Sequence, residues 1–92
     1  MIKSFKHKGL EKFFIDGVKK GIQAHHSKKL ELILDTLNAA EKINDMDFPG
    51  SVLHLLEPKK EKVWAAKVSG NYRVTFQFED GDAYVVDYRD YH

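Results

Sequence analysis

The sequence predicts an α+β fold, in which two N-terminal helices pack on one face of a mostly antiparallel twisted sheet. The element order is β-α-α-β-β-β, and the other sheet face is left open. Three observations predict this. Apolar residues recur at helical spacing through the first half of the chain, and after Gly50 the period changes to two. No helical stretch then remains to cover the second face of the sheet.

Residues 1–6 read as a short first strand. Over 8–20, Leu10, Phe13, Phe14 and Val18 fall on one face of a helix, and Gly21 is a suitable stop because glycine takes the left-handed conformation without a Cβ clash. Ser27 is placed to cap a second helix by accepting from a free N–H. Leu30, Ile33, Leu34, Leu37 and Ala40 make its buried stripe, with Leu32, Ala39 and Ile43 widening it. This helix is expected to end near 43–45, and Phe48-Pro49-Gly50 breaks the pattern. Residues 52–56 form a short extended segment. Residues 62–69 form a strand in which Trp64, Ala66 and Val68 alternate as a buried face. In the strand 72–79, Tyr72, Val74, Phe76 and Phe78 face the helices, while Arg73, Thr75, Gln77 and Glu79 face away. Asp80-Gly81 is a tight hairpin signal, and 83–88 returns as the last strand.

The chain has 92 residues, so one domain spanning 1–92 is expected. It contains no cysteine, which excludes disulfides, thiolate zinc sites and a cysteine nucleophile. The opening residues lack a signal peptide's apolar run, and no stretch approaches the roughly 20 apolar residues that span a bilayer. A cytoplasmic protein with no membrane partner is therefore expected. The net charge is +1, too small for strong long-range attraction to nucleic acid, so any such contact must come from a local patch.

Candidate chemistry collects on the open face. If Leu53 and Leu55 point inward, alternation puts His54 outward, on the side of Arg73. Lys59, Lys60 and Lys62 form a nearby basic cluster, and Asp90, Tyr91 and His92 follow the last strand. RNA can be cut without a metal when its 2′-hydroxyl attacks the adjacent phosphate. That reaction needs a base, an acid and a cation on the phosphate. Histidine suits the first two tasks and arginine the third. Read singly, each signal also has an ordinary structural explanation. His54 could be a partly buried structural histidine, and Arg73 could be a cross-strand partner of Glu79 or Asp87. The lysines could form a solvated loop, and the last three residues a fraying tail. His25-His26 is read as the approach to a helix rather than as a metal site, and Trp64 as core rather than as a base-stacking platform.

The opening Met1-Ile2-Lys3-Ser4-Phe5-Lys6-His7-Lys8-Gly9-Leu10 carries a resemblance, together with His54, Trp64, Asn71-Tyr72-Arg73-Val74-Thr75-Phe76-Gln77-Phe78, Gly81-Asp82-Ala83-Tyr84 and Asp90-Tyr91-His92. In these residues the chain resembles the HigB branch of the RelE-like toxins. The resemblance implies a bacterial toxin that cleaves mRNA on the translating ribosome by 2′-hydroxyl attack, without a cofactor or metal. It implies a HigA-type helix-turn-helix antitoxin as partner. It places His54, Arg73, Asp90, Tyr91 and His92 at active-site positions. The chain departs from a relative at Glu57, where that relative has an RNA-contacting lysine, and Lys59 or Lys60 is the candidate replacement. Two other readings stay open: a non-catalytic binding toxin like the gyrase-poisoning ParE branch, and an inactive antitoxin-binding homologue.

Overall fold

The computed structural model describes residues 1–91. Helix α1, Lys8–Asp16, opens on the His7 side chain, whose Nδ1 accepts from the Leu10 N–H at 3.0 Å. It closes at Gly17, which adopts φ +72° and returns its N–H to the Phe13 carbonyl. The helix therefore stops one turn before the expected end at 20, and Val18, read as part of its stripe, is exposed. Gly21 is not the stop. It lies against Gly9 so closely that a Cβ on Gly9 would stand 2.6 Å from the Gly21 carbonyl oxygen. Glycine serves there to let two backbone segments meet.

Helix α2, Ser27–Ala39, is approached through a 3-10 turn at Ala24–His26. The chain is already helical at His26, so Ser27 is the first residue of the helix and not its cap. Leu30, Ile33, Leu34 and Leu37 are fully buried, as the spacing predicts, but Leu32 and Ala39 are exposed. The helix ends at Ala39, short of 43–45, because the Asp45 carboxylate accepts from the N–H groups of Glu41 and Lys42. Those bonds organise a separate 3-10 turn, Ile43–Met46, whose Met46 enters the core.

The sheet contains β1 (His54–Leu55), β2 (Val63–Ser69), β3 (Tyr72–Glu79) and β4 (Asp82–Asp90), antiparallel in the order β1-β2-β3-β4. The predicted segment 52–56 shrinks to two residues because Val52 takes a positive φ of 44°. Its flanks still bond to β2, Lys67 N–H donating to Ser51 and Leu56 N–H to Val63. Asp80 and Gly81 both have positive φ, as the turn between two twisted antiparallel strands requires.

Strand β4 carries a bulge. Thr75 pairs with Asp87 and Gln77 with Tyr84, so two β4 residues, Val85 and Val86, oppose Phe76 alone. Val85 has φ +53° and is exposed. The bulge explains how Ala83, Val86 and Tyr88 all reach the core despite their uneven spacing. It also accounts for the N-terminus. Residues 1–6, expected as a strand, make two isolated parallel bridges to β4, Ile2 with Ala83 and Phe5 with Val86, and the bulge separates them.

The core lies between the helices and the sheet face carrying Ala66, Val68, Val74, Phe76, Ala83, Val86 and Tyr88, with Trp64, Tyr72 and Phe78 packed around it. Trp64 is thus part of the core margin, as alternation predicts. No helix among the described residues is long and apolar enough to cross a membrane.

Candidate active site on the open face of the sheet

Direct cross-strand partners share a face, so the pairing register arranges the open face in rows. His54 pairs with Ala65, Ala65 with Thr75, and Thr75 with Asp87. The next row runs Lys67, Arg73, Arg89. Strands about 4.8 Å apart and a rise of about 3.3 Å per residue put His54 roughly 12 Å from Arg73, measured between Cα atoms.

The face is less open than alternation predicts. Ala65 and Thr75 are fully buried and Asp87 is 9% exposed. These small side chains sit between two rows of longer ones, Lys67, Arg73 and Arg89 on one side and Gln77 on the other. Thr75, expected on a polar surface, is therefore corrected to a buried position, and its hydroxyl oxygen has no hydrogen-bond partner among the described residues.

His54 is exposed, and its Nδ1 lies 3.0 Å from the Val52 carbonyl oxygen. A carbonyl only accepts, so Nδ1 carries the proton. In the neutral ring, Nε2 is then the unprotonated nitrogen, and it is able to take a proton. Arg73 is half-buried. Its guanidinium donates to the carbonyl oxygens of Gly70 at 2.7 Å and Tyr72 at 3.0 Å, which orients it without neutralising it. It pairs with neither Glu79 nor Asp87. Asp87 instead holds Arg89, with Nε 2.9 Å from Oδ2. Arg89 in turn donates to the Tyr91 hydroxyl at 2.9 Å, and its guanidinium carbon lies 5.7 Å from the Tyr91 ring centroid.

The last residues divide between the two faces. Strand β4 extends through Asp90, two residues beyond the expected end. Tyr91 continues the Arg89 side. Asp90 pairs with Tyr72 and lines a depression with His7, Lys20, Tyr72 and Tyr88, on the helix-bearing side of the sheet. Asp90 is thus not brought onto the Arg73 face. His92 lies outside the described residues. Lys59 and Lys60 occupy a 3-10 turn, Lys59–Glu61, between β1 and β2. Lys62 adjoins Val63, whose partner Gln77 stands four residues along β3 from Arg73, or about 13 Å. The lysine cluster and Arg73 therefore mark opposite ends of the face. Glu57 is exposed in the loop that leaves β1, and its peptide bond to Pro58 is cis.

Sequence reasoning missed the aromatic cluster behind the site. His26 is 3% exposed, and its Nδ1 lies 2.5 Å from the Tyr88 hydroxyl. Its ring packs edge-on against Tyr72. Burial, and then the neighbouring His25, push its pKa below the usual value. Tyr88 is pushed up, mainly by burial. A signal exists in the sequence, since His25-His26 sits where a helix begins and one of two adjacent side chains there must face inward. Among the described residues no cluster of three metal-ligating side chains occurs.

Known proteins share this chain's sequence pattern. The family model for RelE-like toxins of the type II toxin–antitoxin system HigB matches residues 3–92. The chain belongs to this HigB-like toxin family. An endoribonuclease HigB of Proteus vulgaris is 41% identical over 92 residues, covering 100% of both chains. An uncharacterized protein of Haemophilus influenzae is 38% identical over 56 residues, 60% of this chain and 55% of that one. Membership gives the fold its context, since the toxin of a type II system is held by an antitoxin. A HigB-like toxin with this register presents His54, Arg73 and Tyr91 on one face, and Asp90 behind them.

Proposed function

We propose that this chain is the toxin of its pair and an endoribonuclease that cuts mRNA on the ribosome, inhibiting translation. The observation that carries this reading is the open face, where the exposed His54 is held through Nδ1 by the Val52 carbonyl oxygen and the Arg73 guanidinium is oriented by carbonyls but paired with no carboxylate among the described residues. Full-length identity of 41% to an endoribonuclease supports it.

The chemistry follows from the groups. A base removes the proton of the ribose 2′-hydroxyl, and O2′ attacks the adjacent phosphorus. The P–O5′ bond breaks, an acid protonates O5′, and a 2′,3′-cyclic phosphate and a 5′-hydroxyl result. His54, held as its Nδ1–H tautomer, is the base. His92 is the acid. Arg73 stabilises the charge that develops on the phosphorane oxygens, a role in which losing one donor costs about 10²–10³ in rate. Tyr91, held by Arg89, orients the ribose or stacks on a base. Asp90 anchors the end of β4 from the helix side. Lys59, Lys60 and Lys62 contact the RNA backbone at the far end of the face. Imidazole and guanidinium groups supply each of these needs, so the mechanism requires no metal.

The modest net charge makes the free chain a weak RNA binder, and the ribosome supplies both concentration and a splayed codon. The partner is a HigA-type helix-turn-helix antitoxin, and the pair works in the cytoplasm. Primer extension on mRNA after induction tests the reading. The unaltered chain should give discrete, codon-phased cuts. Arg73→Ala and His92→Ala should give none while keeping the fold by circular dichroism. Intact mRNA accompanied by DNA damage would replace this reading with a gyrase poison, and full cutting by folded His92→Ala would remove His92 from the site.

A further inference from the structure

We propose that Lys67, Arg73 and Arg89 form a phosphate track that carries single-stranded RNA across β2, β3 and β4. The proposal rests on the reading above and adds Lys67 and Arg89 to it. The three residues are direct cross-strand partners, so three cations stand side by side on one face. Like charges placed opposite one another in a sheet are destabilising unless something anionic relieves them. Within the described residues the relief is small. Asp87 holds Arg89, and the two bonds of the Arg73 guanidinium go to carbonyl oxygens. Lys67 lies in no ion pair with a described carboxylate. Against the row's three positive charges the adjoining row sets one carboxylate, Asp87, while Glu79 and Asp82 pair six residues along β3 from Arg73 and Asp90 lines the depression on the other side of the sheet.

The row also has a direction. Its Lys67 end lies on the β1 side, one pleat from the row that begins with His54. Its Arg89 end carries Tyr91, whose ring is held by both a hydrogen bond and a stacking contact with Arg89. An RNA strand running across the β-strands would place the scissile phosphate on Arg73 and the flanking phosphates on Lys67 and Arg89. One ribose would then face His54, and a base would reach Tyr91. Asp87 is a positioning residue in this arrangement. Its Oδ1 accepts from the Tyr88 N–H, which fixes the carboxylate that fixes Arg89.

The test is the salt dependence of binding, read by fluorescence anisotropy with a fully 2′-O-methylated RNA 12-mer, which binds but cannot be cut. Removing one cation from the phosphates should reduce the slope of log K against log salt by about 0.7. Lys67→Gln should show that reduction, Lys67→Arg should keep the original slope, and the double variant Lys67→Gln/Arg89→Gln should lower the slope by about 1.4. Melting curves confirm that each variant is folded. An unchanged slope in Lys67→Gln overturns the track even if the unaltered chain cuts mRNA. Reduced slopes with no mRNA cutting uphold the track and remove the nuclease reading instead. If a poly-glutamate peptide binds with the same Lys67 dependence and displaces the RNA at equal concentration, the row belongs to an acidic protein surface and the RNA track is overturned.

Discussion

His26 shows how one side chain can couple the fold to pH. It is buried among Tyr72, Tyr88 and His25, and His7 packs edge-on against the same Tyr88. Burial disfavours its charged form, so its pKa in the folded chain lies below the unfolded value of 6.5. As pH falls through 6.5 the unfolded chain takes up this proton before the folded one does, so stability present at neutral pH declines toward the folded value. His26→Gln keeps a group able to bond the Tyr88 hydroxyl and cannot titrate. Between about pH 7.5 and 5.5 its melting temperature should fall less than that of the unaltered chain. Parallel melting curves across that window would refute the account. At this scale period-two reasoning read His54 and Arg73 correctly as outward-facing. It failed for Thr75, because alternation gives the direction of a side chain and says nothing of the height of its neighbours.

The elements were mostly legible, and their ends mostly were not. Strand β3 has the predicted limits because its alternation is unbroken and turns bound it on both sides. Helix α1 ended early at Gly17, where the left-handed conformation closes the last turn. The two glycine roles in this region separate in a stability measurement. Gly17→Ala meets no neighbour within 4 Å and suffers only the strain of its positive φ, roughly 1 kcal/mol. Gly9→Ala drives a Cβ into the Gly21 backbone, and neither segment can yield without moving α1, so a loss of about 1–3 kcal/mol is expected. Urea denaturation should rank Gly9→Ala as the more damaging. The reverse order would show that the Gly9–Gly21 approach has room to relax. The bulge at Val85 was invisible in the sequence, since a valine gives no hint of positive φ. The bulge is imposed by the need to bury Ala83, Val86 and Tyr88 together.

The whole molecule depends on one core shared by both helices and a single sheet face. Phe76 is fully buried in this core, opposite the bulge. Phe76→Ala should cost about 3–5 kcal/mol, a large part of the total for a domain this small. In chemical denaturation the variant should unfold at a much lower denaturant concentration than the unaltered chain, and its active face should be lost in the same transition. A cooperative transition within about 1 kcal/mol of the unaltered chain, an outcome far below that cost, would mean that the core repacks around the cavity. The open face depends on this core only through the backbone. Substitutions at Lys67 or His54 should therefore change function while leaving melting almost unaltered.

Local sequence was enough to set the fold class, the two helical stripes, the Asp80-Gly81 turn and the outward direction of His54 and Arg73. All of these follow from periodicity and backbone preference, which a single segment carries within itself. Which residues meet was settled only when the segments packed together. Packing set Lys67, Arg73 and Arg89 in one row, gave Asp87 to Arg89 rather than to Arg73, and sent Asp90 to the face opposite Tyr91. It also buried Thr75 and made His26 part of the core. Each of those outcomes depends on strand register and on a bulge, and both are fixed by how distant segments fill one core together.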